Sequence, residues 1–180
     1  MTEPAKVRVA TMWLSGCSGC HMSFLDLDER LIDLAQKIQI VYSPIADVKE
    51  FPKNVDVTLI EGALANDHQC KSLKVARENS KILISLGDCA VTGNVTALRN
   101  AWQHSDKEVI EKAYLDATLL NPQKPTDVPK LLVKALPLHE MVKVDYYIPG
   151  CPPSADLIFY VIGELLAGRT PKMEGRSKFG

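Results

Sequence analysis

A chain of 180 residues, 46% hydrophobic and 24% charged, holds enough apolar material for one core, so a single domain over 1–180 is expected. A formal net charge of −1 supplies no basic field to hold nucleic acid or an anionic membrane surface, which removes both from the expected partners. The first residues lack the charged-then-apolar layout of an export signal and no apolar run is long enough to cross a bilayer, so a cytoplasmic chain without direct membrane insertion is expected.

In chain order, the β-branched run at 7–13 predicts a first strand. Phe24, Leu27, Leu31, Leu34 and Ile38 then recur at steps of three and four, the period of one helix face, and Ser23-x-x-Asp26 predicts its opening as a capping box. Further strands are predicted at 38–42, 55–60 and 81–86, with a weaker helical pattern over 64–78. From 104 to 143 the rhythm breaks. A charged helical piece gives way to Pro122, Pro125 and Pro129, which rule out regular structure around them, and a surface insertion is expected there. A last strand at 144–148 leads through Pro152 and Pro153 to a helix at 154–167, apolar nearly all round and stopped by Gly168. Strands alternating with helices imply parallel pairing, hence an α/β architecture: an open, doubly wound, mostly parallel sheet close to the flavodoxin type.

In such sheets ligands gather beyond the carboxyl ends of the strands. Four of the five cysteines fall there: Cys17 and Cys20 after the first strand, Cys89 after the fourth, Cys151 after the last. Thiols in a chain without an export signal suit metal ligation or a reduced state better than a disulfide framework. Taken alone, Cys17-Ser-Gly-Cys20 also suits a redox dithiol or half of a zinc ribbon. A ribbon brings a second close pair, however, whereas Cys89 and Cys151 are single and distant, and a redox dithiol leaves those two without a role. Cys70 lies in the helical pattern at 64–78, away from any glycine or proline loop, and reads as a plain helix residue.

Four segments carry a resemblance: 14–26 (Leu-Ser-Gly-Cys-Ser-Gly-Cys-His-Met-Ser-Phe-Leu-Asp), Glu61-Gly62, Gly87-Asp88-Cys89-Ala90 and Pro149-Gly150-Cys151-Pro152-Pro153. Together they resemble the small subunits of [NiFe] hydrogenases across nearly the whole chain, and more distantly the cluster-bearing subunit of respiratory complex I. The complex I relative has adjacent cysteines in its first loop; here Ser18 and Gly19 separate them, which favours the hydrogenase side. The run from His21 to Asp26 is similar to the NAD-reducing, bidirectional branch.

That resemblance implies that Cys17, Cys20, Cys89 and Cys151 ligate one [4Fe–4S] cluster, proximal to a nickel–iron (NiFe) centre on a large subunit. It implies electron transfer to a diaphorase part whose iron–sulfur and flavin subunits hold FMN and bind NAD. The isolated chain is not expected to catalyse the oxidoreductase reaction. Gly16, Gly19 and Gly150 would support the cluster loops, and Glu61 would stand near the cluster in a structural or hydrogen-bonding role. His21 would not ligate, since four cysteines suffice; Trp13 and Met22 would line an interface or the core, and Phe24 the core. Periplasmic small subunits carry an export signal and an extension with two more clusters, and the sequence shows neither, so one cluster and direct transfer to another subunit are expected. Two alternatives stand beside this one: the one-cluster subunit of a membrane-bound, ferredoxin-linked hydrogenase, and an FMN-binding flavodoxin-like protein. The latter needs a Ser/Thr/Gly-rich phosphate loop, which residues 15–19 imitate only in part.

Overall fold

The computed structural model describes residues 5–44, 46–177 and 179. In chain order its elements are β1 (Val7–Trp13), α1 (Gly19–Leu25), α2 (Arg30–Lys37), β2 (Ile38–Tyr42), β3 (Val55–Glu61), β4 (Leu64–Asn66), α3 (Asp67–Glu78), β5 (Ser80–Leu86), α4 (Asp88–Thr92), α5 (Ser105–Glu111), β6 (Leu131–Leu136), β7 (Tyr146–Ile148) and α6 (Ala155–Leu166). A 3-10 run at Asn94–Ala101 links α4 to α5.

Five strands form one sheet in the order β2-β1-β3-β5-β7, and every pairing in it is parallel. This is the flavodoxin order once β4 and β6 are set aside. The central strands are covered on both faces, which is why they read as near-continuous apolar runs. Their side chains alternate between two cores. Val57, Leu59 and Ile84 pack with Phe24, Leu34 and α6, while Ile60 and Leu83 pack on the opposite face with Leu73 and Ala76 of α3. Helix α6 contributes Leu157, Ile158, Val161 and Ile162, each buried and each stabilising by about 1.5–3 kcal/mol through apolar burial. Ser154 caps it, its hydroxyl accepting from the Leu157 N–H at 3.3 Å.

Strand β7 is short and is held in register from outside the ladder. Asp145, just ahead of it, accepts from the Leu83 N–H at 2.8 Å and pairs with Arg77 at 2.6 Å, while Arg77 also donates to the carbonyls of Ser80 and Lys81. With β7 fixed, Trp13, Glu61, Leu86 and Ile148 stand opposite one another along the carboxyl edge of four adjacent strands.

Four local expectations are corrected. The stripe from Phe24 to Ile38 is two helices and the start of β2, because the chain turns at Asp28 in a left-handed conformation (φ 50). Phe24, Leu27, Leu34 and Ile38 are buried all the same, since the turn keeps one face toward the sheet. Accordingly Ser23-x-x-Asp26 opens nothing: α1 begins at Gly19, and Asp26 is its C-cap. Residues 64–66 are strand, and α3 starts at Asp67 with the Asn66 side chain accepting from the Gln69 N–H. The stretch at 104–143 is irregular around its prolines but also contributes β6, antiparallel to β4, together with buried Ser105, Ala135 and Leu138. Among the described residues no helix is long and apolar enough to cross a membrane.

Candidate metal centre

The loop after β1 is stitched to the end of β3. Leu14 N–H donates to the Glu61 carbonyl at 2.8 Å, and Ser15 and Ala63 exchange backbone hydrogen bonds of 3.0 and 2.8 Å. Trp13 Nε1–H closes the turn on the Gly16 carbonyl at 3.1 Å. Ser18 then takes a left-handed conformation (φ 68) at the N-cap of α1. Cys17 is thereby left at the surface and Cys20 sits in the first helical turn, buried. The Gly19 N–H points back at the Cys17 sulfur, 3.4 Å away.

The other two loops are clamped to each other. Gly87 N–H donates to the Ile148 carbonyl at 2.7 Å, Asp88 N–H to the Gly150 carbonyl at 2.9 Å, and the Gly150 N–H returns to the buried Asp88 carboxylate at 2.6 Å. The Ser23 hydroxyl of α1 donates to the Pro153 carbonyl at 2.5 Å, tying the first loop to the last. Close approach demands glycine at two points. A Cβ on Gly87 (φ +81) would lie 2.2 Å from the Cys20 sulfur, and one on Gly150 (φ +138) would lie 2.5 Å from Pro153 Cα.

Three loops thus bring four thiols close enough to act on one another. Burial pushes the Cys20 thiol far above its ordinary range, reinforced by the Glu61 charge and by Cys89, Cys17 and Cys151. Burial likewise raises Cys89, with Cys151 and Cys17 adding to it. Cys20 and Cys89 therefore favour the thiol form until a cation offsets the charge, as a bound metal would, because metal ligation deprotonates a thiol outright. Cys17 and Cys151 are exposed, Cys20 and Cys89 buried, so a bound group would be half-sheltered by the sheet edge and half-offered to a neighbour. Among the described residues no three His, Cys, Asp or Glu side chains gather as tightly as the ligands of a single ion. A cluster, with irons and sulfides between its thiolates, takes a wider spacing. Four thiols on three braced loops fit a four-iron cluster.

Glu61 is 1% exposed, so it is no solvated loop carboxylate. One of its oxygens, Oε2, accepts from the His21 N–H at 2.9 Å and from His21 Nδ1 at 2.6 Å. This turns the imidazole toward Glu61. A Cβ on Gly16 would meet the Glu61 side chain and Gly62, 3.3 and 3.2 Å away, so Gly16 lets these two strand ends approach. Trp13, Met22 and Leu25 are 47%, 57% and 42% exposed around the first loop, whereas Phe24 is in the core. Cys70 lies within α3 and packs against the core, outside the thiol set, and burial raises its pKa. Asp88 and Ser23, which brace the loops, are site residues that sequence reasoning does not single out. The signal for Asp88 is its place between Gly87 and Cys89; Ser23 gives none beyond its neighbours.

Among known proteins, the family described as NADH ubiquinone oxidoreductase, 20 Kd subunit, matches residues 17–165. The chain is 41% identical over 170 residues to the NAD-reducing hydrogenase HoxS subunit delta of Cupriavidus necator, covering 91% of this chain and 80% of that one. It is 40% identical over 170 residues to one component of the F420-non-reducing hydrogenase of Methanothermobacter marburgensis, again 91% of this chain but only 54% of that protein. Among solved structures it superposes on a chain of an NAD+-reducing [NiFe]-hydrogenase in the H2-reduced state with a TM-score of 0.92 and 37% identity, over 98% of this chain and 100% of that one.

Proposed function

This chain belongs to the NADH ubiquinone oxidoreductase 20 Kd subunit family, and we propose that it is the electron-transferring small subunit of an NAD-reducing [NiFe] hydrogenase working in the cytoplasm. The observation that carries this reading is the meeting of four thiols from three loops at one sheet edge, which gives a use to every cysteine except Cys70. The NAD-reducing type is supported by the likeness to HoxS subunit delta and to the NAD+-reducing structure, each spanning nearly all of this chain.

Held by Cys17, Cys20, Cys89 and Cys151, one [4Fe–4S] cluster supplies a one-electron carrier between the NiFe centre of a large subunit and a diaphorase part with iron–sulfur centres, FMN and NAD. The chain's own residues keep that carrier rigid and partly dry. The Asp88–Gly150 exchange prevents the Cys89 and Cys151 loops from moving apart. Glu61 fixes the His21 ring and the backbone beside Cys20, a positioning role through hydrogen bonds. Gly19 directs a backbone N–H at the Cys17 sulfur. Exposed Trp13, Met22 and Leu25 beside the exposed Cys17 form the surface offered to the large subunit. Residues 1–180 act as one cluster-binding domain.

The test is anaerobic purification through a tag on this chain, with identification of the copurifying chains and an assay of hydrogen-dependent NAD reduction. A nickel-bearing large subunit, flavin-bearing diaphorase subunits and NAD reduction are expected. Recovery with a set of membrane subunits and electron delivery to ferredoxin, or recovery alone with FMN bound, would contradict the proposal.

A further inference from the structure

The four thiols have unequal surroundings. Both exposed sulfurs accept a hydrogen bond: Cys17 from the Gly19 N–H, and Cys151 from the side-chain amide of Asn94, each at 3.4 Å. The first follows from the local turn. The second joins residues 57 apart in the chain, so the fold must aim it. Gly93 (φ +90) and Asn94 (φ +35) form a left-handed corner between α4 and the 3-10 run. Asparagine is among the few side-chain-bearing residues that visit this region readily. The corner sends the Asn94 amide toward the Cys151 sulfur. Arg176 lines the same cavity as Cys151, of about 290 Å³, its guanidinium held 4.3 Å from the centre of the Tyr160 ring. Cys151 therefore accepts from an amide donor and shares its cavity with a cation.

We propose that Asn94 is a positioning residue for electron transfer, whose amide N–H, donated to the Cys151 sulfur, raises the reduction potential of the cluster bound there. The couple moves one electron, and no covalent bond forms or breaks. Reduction makes the cluster's sulfurs more negative, so a donor to one of them strengthens and favours the reduced form. Hydrogen-bond donors just outside the ligands tune metal centres in this way. The inference rests on Cys151 being a cluster ligand.

The test is an anaerobic redox titration of the intact complex, read by the EPR signal of the reduced cluster, for the parent, Asn94→Gly and Asn94→Asp. Glycine adopts φ +35 without strain and removes only the amide. Aspartate keeps the shape but replaces the donor with a charged acceptor. In Asn94→Gly the reduced-to-oxidised ratio at a fixed potential falls about tenfold, a downward shift of about 59 mV for a one-electron couple. In Asn94→Asp it falls further, with iron per chain unchanged in both. A midpoint that stays put or rises in both variants, with iron retained, overturns this inference alone, as does loss of iron confined to the variants. Absence of iron from the parent overturns the ligand assignment and this inference with it.

Discussion

Replacing Gly87 with alanine probes the packing of the site without touching a ligand. The new Cβ falls 2.2 Å from the Cys20 sulfur, whereas non-bonded carbon contacts sit at about 3.5–4.0 Å. The sulfur must retreat by roughly 1.3 Å to reach that contact distance, which takes it out of line with Cys17, Cys89 and Cys151. The backbone gives no relief, because Gly87 has φ +81, where a side chain costs about 1–2 kcal/mol. Overpacking adds about 1–3 kcal/mol. A total of about 2–5 kcal/mol lowers the melting temperature of a chain this long by roughly 5–20 °C, and iron content falls with it. Gly163 is the control: it lies within α6, and a Cβ there meets nothing within 4 Å. Gly163→Ala is expected to raise stability by about 0.5–1 kcal/mol with iron unchanged. Thermal melts of the anaerobically purified protein with iron analysis decide the matter. A Gly87→Ala protein with full iron and an unshifted melt refutes the reasoning on how the loops close on Cys20.

Other perturbations separate bracing from ligation. Glu61→Gln weakens the two hydrogen bonds from His21 and is expected to cost about 1.5–3 kcal/mol, measured by urea unfolding, while four irons stay bound; loss of all iron would instead make Glu61 a ligand. Cys70→Ala is expected to leave iron content and EPR signal unchanged and to cost less than about 1.5 kcal/mol, because Cys70 only packs from α3 against the core. Asp145 offers a pH test. Burial alone would raise its pKa, but the Leu83 N–H and Arg77 outweigh it and hold the carboxyl below its usual value. The resulting stability is complete above the unfolded value of about 3.9 and drains away as pH falls from there toward the lower folded value. Asp145→Asn should therefore be less stable than the parent at neutral pH, by about 2 kcal/mol. That gap should narrow in urea titrations as pH falls below about 3.9; a gap unchanged by acid contradicts the assignment.

Much of the site is legible in the sequence because each chemical signal is local. β-branched runs mark the parallel strands, and a cysteine beside glycine or proline after three of them marks the carboxyl edge. What escapes depends on contacts between distant segments. The period from Phe24 to Leu34 is the same for one helix or for two joined at Asp28, since the turn preserves the buried face. β4 and β6 are strands chiefly because they pair with each other across the chain. β6 also follows a proline-rich stretch that hides its order. Asp88 reads as a polar residue before Cys89 until its carboxylate is seen to receive the Gly150 N–H, 62 residues away. Glu61 reads as a carboxylate near the cluster in a structural or hydrogen-bonding role, but its partner His21 is visible only once the fold sets the two together.

The most direct test is the metal itself. Iron, acid-labile sulfide, nickel and zinc should be measured on the anaerobically purified complex, with EPR before and after reduction, for the parent and for serine replacements of Cys17, Cys20, Cys89 and Cys151. About four irons and four sulfides assigned to this chain are expected, with a signal that appears on reduction and is lost or converted in each of the four variants. Zinc without iron, or a full cluster signal that survives replacement of any one of these cysteines, would contradict the assignment of a four-cysteine cluster to this chain.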